Sequence, residues 1–172
     1  MIPPAASPAD ALAVLSEEHA GVRRLFDAHA VLVGSRAAAG CKRSVVARLC
    51  RQLAVHARLE EEVFYPAARA AFGGPAITHA GLADHERMKE LVEELWNTDP
   101  ADRRHDVLVE ALRSTAERHF DVEEAGLFPK TLDSSMDLEA LAGHSRARRR
   151  EYLAGHERGD PPPAGRHVVA LG

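Results

Sequence analysis

The stretch HARLEEEVFYP at residues 56–66 returns in altered form as HFDVEEAGLFP at residues 119–129. In each copy a histidine precedes two glutamates by four and five residues, and a proline follows the first glutamate by six. A further histidine precedes each copy on the preceding helix, His19 by 37 residues and His85 by 34. The sequence therefore predicts two helical hairpins related by a pseudo-two-fold axis.

Composition places the chain among ordinary globular proteins. It has 172 residues, 45% of them hydrophobic and 28% charged, with a net charge of −4. Its uncharged stretches are too short to span a bilayer, and Met1–Pro4 lacks the basic and apolar parts of a secretory signal, so we expect a cytoplasmic protein with no membrane contact. The mild acidity argues against nucleic acid as a partner. We interpret Cys41 and Cys50 as two small hydrophobic residues on one helix.

Helix-forming residues dominate between a few Gly- and Pro-rich breaks, which predicts an all-α fold. We expect helices at about 7–33, 41–65 with a continuation to 72, 76–96, 99–128 and 135–154. Ser7 and Asp99 are predicted as N-caps. Pro66 is expected to kink or stop the second helix, and Pro129 is expected to stop the fourth. Short connections favour an up-down antiparallel four-helix bundle with an accessory C-terminal fifth helix.

The predicted organisation has four parts. They are an N-terminal tail at 1–7, the bundle at 8–130, the accessory helix at 131–156 and a C-terminal tail at 157–172.

Each helix of the predicted bundle carries a histidine where its apolar spacing predicts a core position, and two helices add a glutamate one turn later. At about 1.5 Å per residue, the four histidines lie at a similar height, roughly 14–17 Å from one end of the bundle. Burying a neutral polar group without a partner costs about 2–7 kcal/mol, so six of them together need an explanation. The six are His19, His56, Glu60, His85, His119 and Glu123.

A metal centre is the explanation that we favour for this set. A single HxxxE motif is more typical of a surface pair, but two copies in register, each with an inward histidine on the preceding helix, predict a metal site. Imidazole and carboxylate ligands in a bundle suit two iron ions with an oxo or hydroxo bridge better than manganese or zinc. The alternative is a metal-free bundle with buried His–Glu hydrogen bonds.

The order His19, HxxxE at 56–60, His85 and HxxxE at 119–123 resembles the hemerythrin-like, or HHE cation-binding, domain over about residues 9–128. The segment after Asp137 is similar to the extra helix of actinobacterial hemerythrin-like proteins. The resemblance implies a non-haem di-iron centre. It also implies a role in oxygen carriage or sensing, peroxide removal, nitric-oxide response or iron–sulfur repair.

The sequence departs from the oxygen-carrying members of that family. They have HxxxH on the third helix and HxxxxD on the fourth, whereas here Gly81 and Lys89 flank His85 and the fourth helix has HxxxE. We therefore expect a more symmetric centre that reacts with dioxygen, hydrogen peroxide or nitric oxide, and catalase-like peroxide removal is one such activity. The alternative is a non-enzymatic sensor or binding module, read by a protein partner through the fifth helix. Iron storage is disfavoured because one such site holds few ions.

Other polar and aromatic residues receive simpler interpretations. We interpret Tyr65 and Phe128 as helix-end packing, with a role for Tyr65 beside the metal as the alternative. Side chains one residue after a ligand diverge by about 100° on an α-helix, which predicts a solvated surface position for three glutamates. These are Glu61, which is also an alternative ligand, Glu86 and Glu124. His79 is expected at a loop or rim, and the surface or boundary histidines are His29, His105, His144, His156 and His167. The basic run 146–150 is interpreted as a solvated helix end rather than a nucleic-acid contact.

Overall fold

Helices form the whole regular structure of residues 11–156, which are the residues that the computed structural model describes, and no strand occurs among them. The α-helices are α1 (Ala11–Gly34), α2 (Ala39–Leu59), α3 (Tyr65–Phe72), α4 (Ala76–Trp96), α5 (Arg103–Val122), α6 (Phe128–Leu132) and α7 (Leu138–His156). Two π-helical turns join the ends of long helices to short ones, at Glu60–Phe64 and Glu123–Leu127.

The four long helices pair as two hairpins, α1 with α2 and α4 with α5, and the hairpins pack into one bundle. The fifth long helix, α7, lies against α1, α2 and the first π-helical turn. This confirms the predicted all-α four-helix bundle with an accessory fifth helix.

Two apolar clusters fill the bundle, one on each side of a polar layer. The larger cluster includes Val22, Phe26 and Leu112, and the smaller includes Leu15 and Phe128. His19 follows Leu15 by one helical turn and precedes Val22 by almost another, so α1 carries its histidine between the two clusters. The polar layer is therefore enclosed by hydrocarbon above and below.

The chain stays helical past both prolines, as predicted for Pro66 with its continuation to Phe72, but not for Pro129, which was expected to stop its helix. Pro66 and Pro129 each lie in the first turn of the short helix that follows a π-helical turn. Proline lacks an N–H and its ring collides with the carbonyl four residues earlier, and the wider π turn accommodates both defects. In each turn an amide bonds the carbonyl five residues earlier, Tyr65 to Glu60 and Phe128 to Glu123. The helix therefore continues past Pro129 to Leu132 instead of ending there.

Other local predictions have mixed outcomes. Asp99 was expected to cap the fourth helix, but Asp102 does so by accepting from the Arg104 amide at 2.8 Å. Asp99 instead accepts from the Ala101 amide, which makes a turn before the helix. Cys50 lies in the core, whereas Cys41 is exposed and does not pack as a hydrophobic residue.

Neither predicted tail can be compared with the structure. The cap at Ser7 and the segments 1–7 and 157–172 lie outside the described residues. None of the helices at residues 11–156 has an apolar stretch that could cross a membrane.

Candidate metal centre

The six predicted donors meet in the polar layer of the bundle. Each is at most 3% exposed, so all six are removed from water. Their ring nitrogens and carboxylate oxygens lie a few ångströms apart. For example, the Nε2 atom of His119 is 3.3 Å from Nε2 of His56 and 3.3 Å from Nε2 of His85. The six side chains therefore lie at one height in the bundle and face one point, as the spacing of apolar positions along the helices predicts.

Glu60 lies at the middle of the cluster and reaches both sides of it. Its Oε2 atom is 3.1 Å from His85 Nε2 and 3.2 Å from His119 Nε2. Its Oε1 atom is 3.3 Å from His56 Nε2 and 3.9 Å from His19 Nε2. The donors thus form two overlapping groups of metal-ligating atoms that share Glu60 and His56.

The donor set fits metal ions. Nitrogen and oxygen ligands at about 2.0–2.2 Å from one ion lie roughly 3 Å from each other, which is the spacing found around Glu60. Among residues 11–156, several buried nitrogen and oxygen atoms that face the centre, and could ligate a metal, have no hydrogen-bond partner. They are His19 Nε2, Glu60 Oε1 and Glu123 Oε2. Unpartnered buried polar atoms are costly, so their convergence points to cations that would pair with them.

Glu123 differs from Glu60 in its surroundings. Its Oε2 atom is 3.5 Å from both His19 Nε2 and His119 Nε2, while its Oε1 accepts a hydrogen bond from the Tyr65 hydroxyl at 2.8 Å. Tyr65 is 1% exposed and stacks on the His85 ring. A more symmetric centre was expected, but only Glu60 presents both of its oxygens to the imidazoles.

Gly81 makes room for Tyr65. A Cβ atom at residue 81 would lie 2.1 Å from the Tyr65 hydroxyl oxygen and 2.9 Å from Cζ of the same ring. The absence of a side chain at this position, four residues before His85, therefore lets the phenol reach Glu123.

Glu61 and Glu124 are not the solvated surface residues that the sequence predicted. The Nδ1–H group of His85 donates to Glu61 Oε1 at 2.9 Å, and that of His19 donates to Glu124 Oε1 at 2.7 Å. A carboxylate that accepts from Nδ1 fixes the ring orientation and leaves Nε2 facing the centre. These bonds cross between hairpins, because each glutamate supports a histidine of the other hairpin.

A cation one turn after each of these histidines holds the supporting carboxylate. Arg23 donates to Glu124 at 2.9 Å, and Lys89 donates to Glu61 at 3.2 Å. Arg23 follows His19 by four residues and Lys89 follows His85 by four, so the arrangement obeys the pseudo-symmetry of the sequence. Lys89 therefore supports the centre through Glu61. In the sequence, this position stood out only because oxygen-carrying proteins of the resembled family have a histidine there.

The buried imidazoles and carboxylates of the cluster shift one another's pKa values. Burial lowers the pKa of His19, but bonding and charge from Glu123 and Glu60 outweigh burial and raise it to about 9. Burial likewise lowers the pKa of His85, and Glu60 and Glu61 raise it to about 9.

The acidic groups respond in opposite directions. Burial raises the pKa of Glu60, but the surrounding imidazoles hold it well below its usual value. Burial and the charge of Glu60 raise the pKa of Glu123 to about 7. Burial and the charges of Glu60 and Glu123 raise the pKa of Tyr65, so its phenol stays protonated and donates.

The sequence of residues 10–131 matches the model of the hemerythrin HHE cation-binding domain. The chain belongs to the hemerythrin HHE cation-binding family. A solved HHE cation-binding domain-containing protein from Mycobacterium kansasii has the same fold, with a TM-score of 0.72, 23% identity, and coverage of 87% of this chain and 90% of that one. The comparison with curated proteins found no match. The match confirms the resemblance found in the sequence, and with it cation binding as the property of this HHE domain.

Two histidines predicted at the surface or boundary lie instead in a buried cluster at the other end of the HHE bundle. His29 is 5% exposed and His105 is 2% exposed, and burial lowers the pKa of both. They were misplaced because they match no repeated motif. Asp106 lies beside them, but Lys42 donates to both of its oxygens at 2.8 and 2.9 Å. The lysine already supplies the positive charge that this cluster would need.

The remaining predictions concern surface residues of this HHE domain. Glu86, His79 and His144 are exposed, as expected, whereas the side chain of His156 and all of His167 lie outside the described part. The basic run 146–150 is not simply a solvated helix end. Arg148 binds Glu62 and Arg149 binds Glu18, so two of its members tie α7 to the bundle.

Proposed function

We propose that this HHE domain holds two iron ions with an oxo or hydroxo bridge and reacts with a small oxidant, namely dioxygen, hydrogen peroxide or nitric oxide. The observation that carries the proposal is Glu60, whose two oxygens face different groups of imidazoles in the dry layer. A carboxylate in that position suits two cations better than one. The proposed ligands are His19, His56, Glu60, His85, His119 and Glu123.

An iron pair would supply one-electron redox and Lewis-acid chemistry toward the oxidant. The protein's part is to fix the donors and to exclude bulk water. Glu61 and Glu124 hold two imidazoles by their Nδ1 atoms, and the apolar clusters on either side of the layer keep the surroundings at low polarity. A small oxidant is the substrate class that such an enclosed site suits best.

Tyr65 is proposed as a positioning residue rather than a ligand. Its hydroxyl donates to Glu123 Oε1, which keeps Oε2 directed toward His19 and His119. Since its pKa is raised, the phenol remains a hydrogen-bond donor over the physiological pH range. One oxygen of Glu123 therefore faces the centre, while the other is held by the Tyr65 hydroxyl.

The proposal is tested by elemental analysis, an absorption spectrum in the charge-transfer region and oxygen evolution from hydrogen peroxide. We expect two iron ions per chain and rapid oxygen evolution by the wild type. Glu60→Gln should lose iron and activity, while the matched control Glu86→Gln, which changes an exposed residue beside His85, should retain both. A metal-free protein, or one ion per chain, would contradict the iron pair. A stable and reversible oxygenated spectrum would contradict turnover.

A non-enzymatic sensor is the second candidate function. It is favoured by the contact of α7 with the bundle beside the centre, through Arg149 and Glu18. In this case a change at the iron pair would alter the packing of α7, and a protein partner would read the change. Steady consumption of peroxide or nitric oxide over many cycles supports the enzyme, whereas a single stoichiometric reaction that alters α7 supports the sensor.

A further inference from the structure

A third histidine of the centre faces a supporting carboxylate, and this one leads to α7. Nδ1 of His56 lies 3.5 Å from Glu18 Oε2, and the Glu18 side chain is only 11% exposed. Within residues 11–156 neither of these two atoms has a hydrogen-bond partner, since their own separation is longer than a good hydrogen bond and counts as an ion-pair contact. The two atoms therefore complement each other, with an N–H donor on His56 and an acceptor on Glu18.

Arg149 holds the other oxygen of this carboxylate. Its Nε–H donates to Glu18 Oε1 at 3.1 Å. The order histidine, carboxylate, cation is the one found in His19–Glu124–Arg23 and His85–Glu61–Lys89. The difference is that Arg149 comes from α7, beyond the residues 10–131 that match the family model.

The helix that carries Arg149 is anchored independently of it. Tyr152 packs with Val55 and Leu59, and the guanidinium of Arg148 binds Glu62 on the first π-helical turn. These contacts fix α7 on the bundle, so Arg149 reaches Glu18 from a supported position.

Among the described residues, His119 lacks a comparable series of carboxylate and cation behind its ring. Its Nδ1 atom is buried and has no hydrogen-bond partner in the described part of the molecule. Asp84 precedes His85 as Glu18 precedes His19, yet its carboxylate binds Arg118 on α5. The pseudo-symmetric halves thus differ at this point, and among the described residues α7 supplies a cation to the carboxylate of Glu18.

We propose that Arg149 is a positioning residue for His56, acting through Glu18, so that α7 is a functional part of the metal centre. The inference rests on the proposed function, because it requires His56 to be a ligand. Loss of Arg149 would free the Glu18 carboxylate to rotate into solvent and leave the His56 ring without its support. Metal affinity would fall even though no ligand has been changed.

The test compares Arg149→Gln with Arg149→Lys, Glu18→Gln and the matched control Arg150→Gln in the full chain. Arg150→Gln removes the same charge from the same helix, one residue away and at an exposed position. Outer partners of metal ligands typically contribute about 10–100-fold to affinity, so we expect roughly a tenfold loss of metal affinity for Arg149→Gln and Glu18→Gln. Arg149→Lys should restore most of it, and Arg150→Gln should leave the affinity unchanged.

Affinity is measured with Co²⁺ by chelator competition and by its visible absorption, and iron content is measured separately. If Arg150→Gln and Arg149→Gln weaken Co²⁺ binding equally, or if neither does, the positioning role of Arg149 is wrong. A wild type that binds Co²⁺ but takes up no iron would instead contradict the proposed iron function, and the comparison among the variants would still decide the role of Arg149.

Discussion

At the residue scale, the six inward donors depend on side chains that do not face the centre themselves, since Glu61 and Glu124 each hold one imidazole by its Nδ1 atom. Spacing of three and four residues gives the face and height of a side chain, which is why His19 and His85 could be placed from sequence. Glu61 and Glu124 were misassigned because the prediction used the 100° step of an α-helix. They lie in π-helical turns, where the wider turn makes neighbouring side chains diverge less. Their repetition after each ligand glutamate was the available signal.

Gly81→Ala should destabilise the protein because its Cβ would collide with the Tyr65 ring. Forcing extra volume into a packed interior costs about 1–3 kcal/mol, and displacement of the phenol should also break its bond to Glu123. The free energy of unfolding, measured by urea denaturation of the metal-free protein, checks this. The control is Gly143→Ala in α7, where a Cβ meets no atom within 4 Å and should leave stability equal or higher. Equal effects at the two positions would contradict the close contact.

At the element scale, the two π-helical turns are the feature that composition and spacing did not predict. The positions of Pro66 and Pro129 are plain in the sequence, and the helical continuation to Phe72 was predicted correctly. Proline alone, however, indicates a break in the helix as readily as a widened turn. The choice between them depends on packing of Phe64 and Phe128 in the smaller apolar cluster, which keeps the chain helical beyond the turn. That packing is a tertiary effect.

Pro66→Ala is expected to change the free energy of unfolding by less than about 1 kcal/mol, because proline in the first turn of a helix removes no α-helical hydrogen bond. Ala54→Pro is the contrasting variant, in the interior of α2, and should cost about 3 kcal/mol or more. Thermal and urea unfolding followed by far-UV circular dichroism measure both. A large loss of stability in Pro66→Ala would mean that the proline itself maintains the π turn.

At the scale of the whole molecule, the predicted bundle was confirmed because heights along antiparallel helices follow from residue counts alone. The docking of α7 beside the centre did not follow from those counts. Its basic run reads as a solvated end in sequence, since nothing in the local pattern indicates which acidic residues long arginine side chains will reach. Arg149 and Glu18 are 131 residues apart in the chain.

Metal uptake should release protons and stabilise the whole bundle. The imidazoles of His19 and His85 have pKa values of about 9 in the metal-free protein, so they are protonated at pH 7 and must lose protons to bind a cation. Metal affinity should therefore rise from pH 6 to pH 9. Pre-formed ligands on four helices also mean that bound metal stabilises the folded state, by about 2.7 kcal/mol when the free metal concentration is 100 times the dissociation constant, and so raises the melting temperature.

Proton release is measured with a pH indicator in weak buffer during titration with Fe²⁺ or Co²⁺, and stability by thermal unfolding with and without a chelator. The surface variant His79→Asn should behave like the wild type. Affinity independent of pH over this range would contradict the protonation of the two imidazoles.

The crossing of Glu61 and Glu124 between hairpins has a consequence for how the molecule can be divided. A break near Gly74 would yield two fragments, each keeping two histidines and a glutamate of the repeat but neither keeping His19 or His85 with its carboxylate. Such fragments could not mature separately and combine later as finished halves. Each fragment would supply the carboxylate that supports a histidine of the other only when the two reassemble. Metal binding would therefore report that the fragments have assembled in the native arrangement.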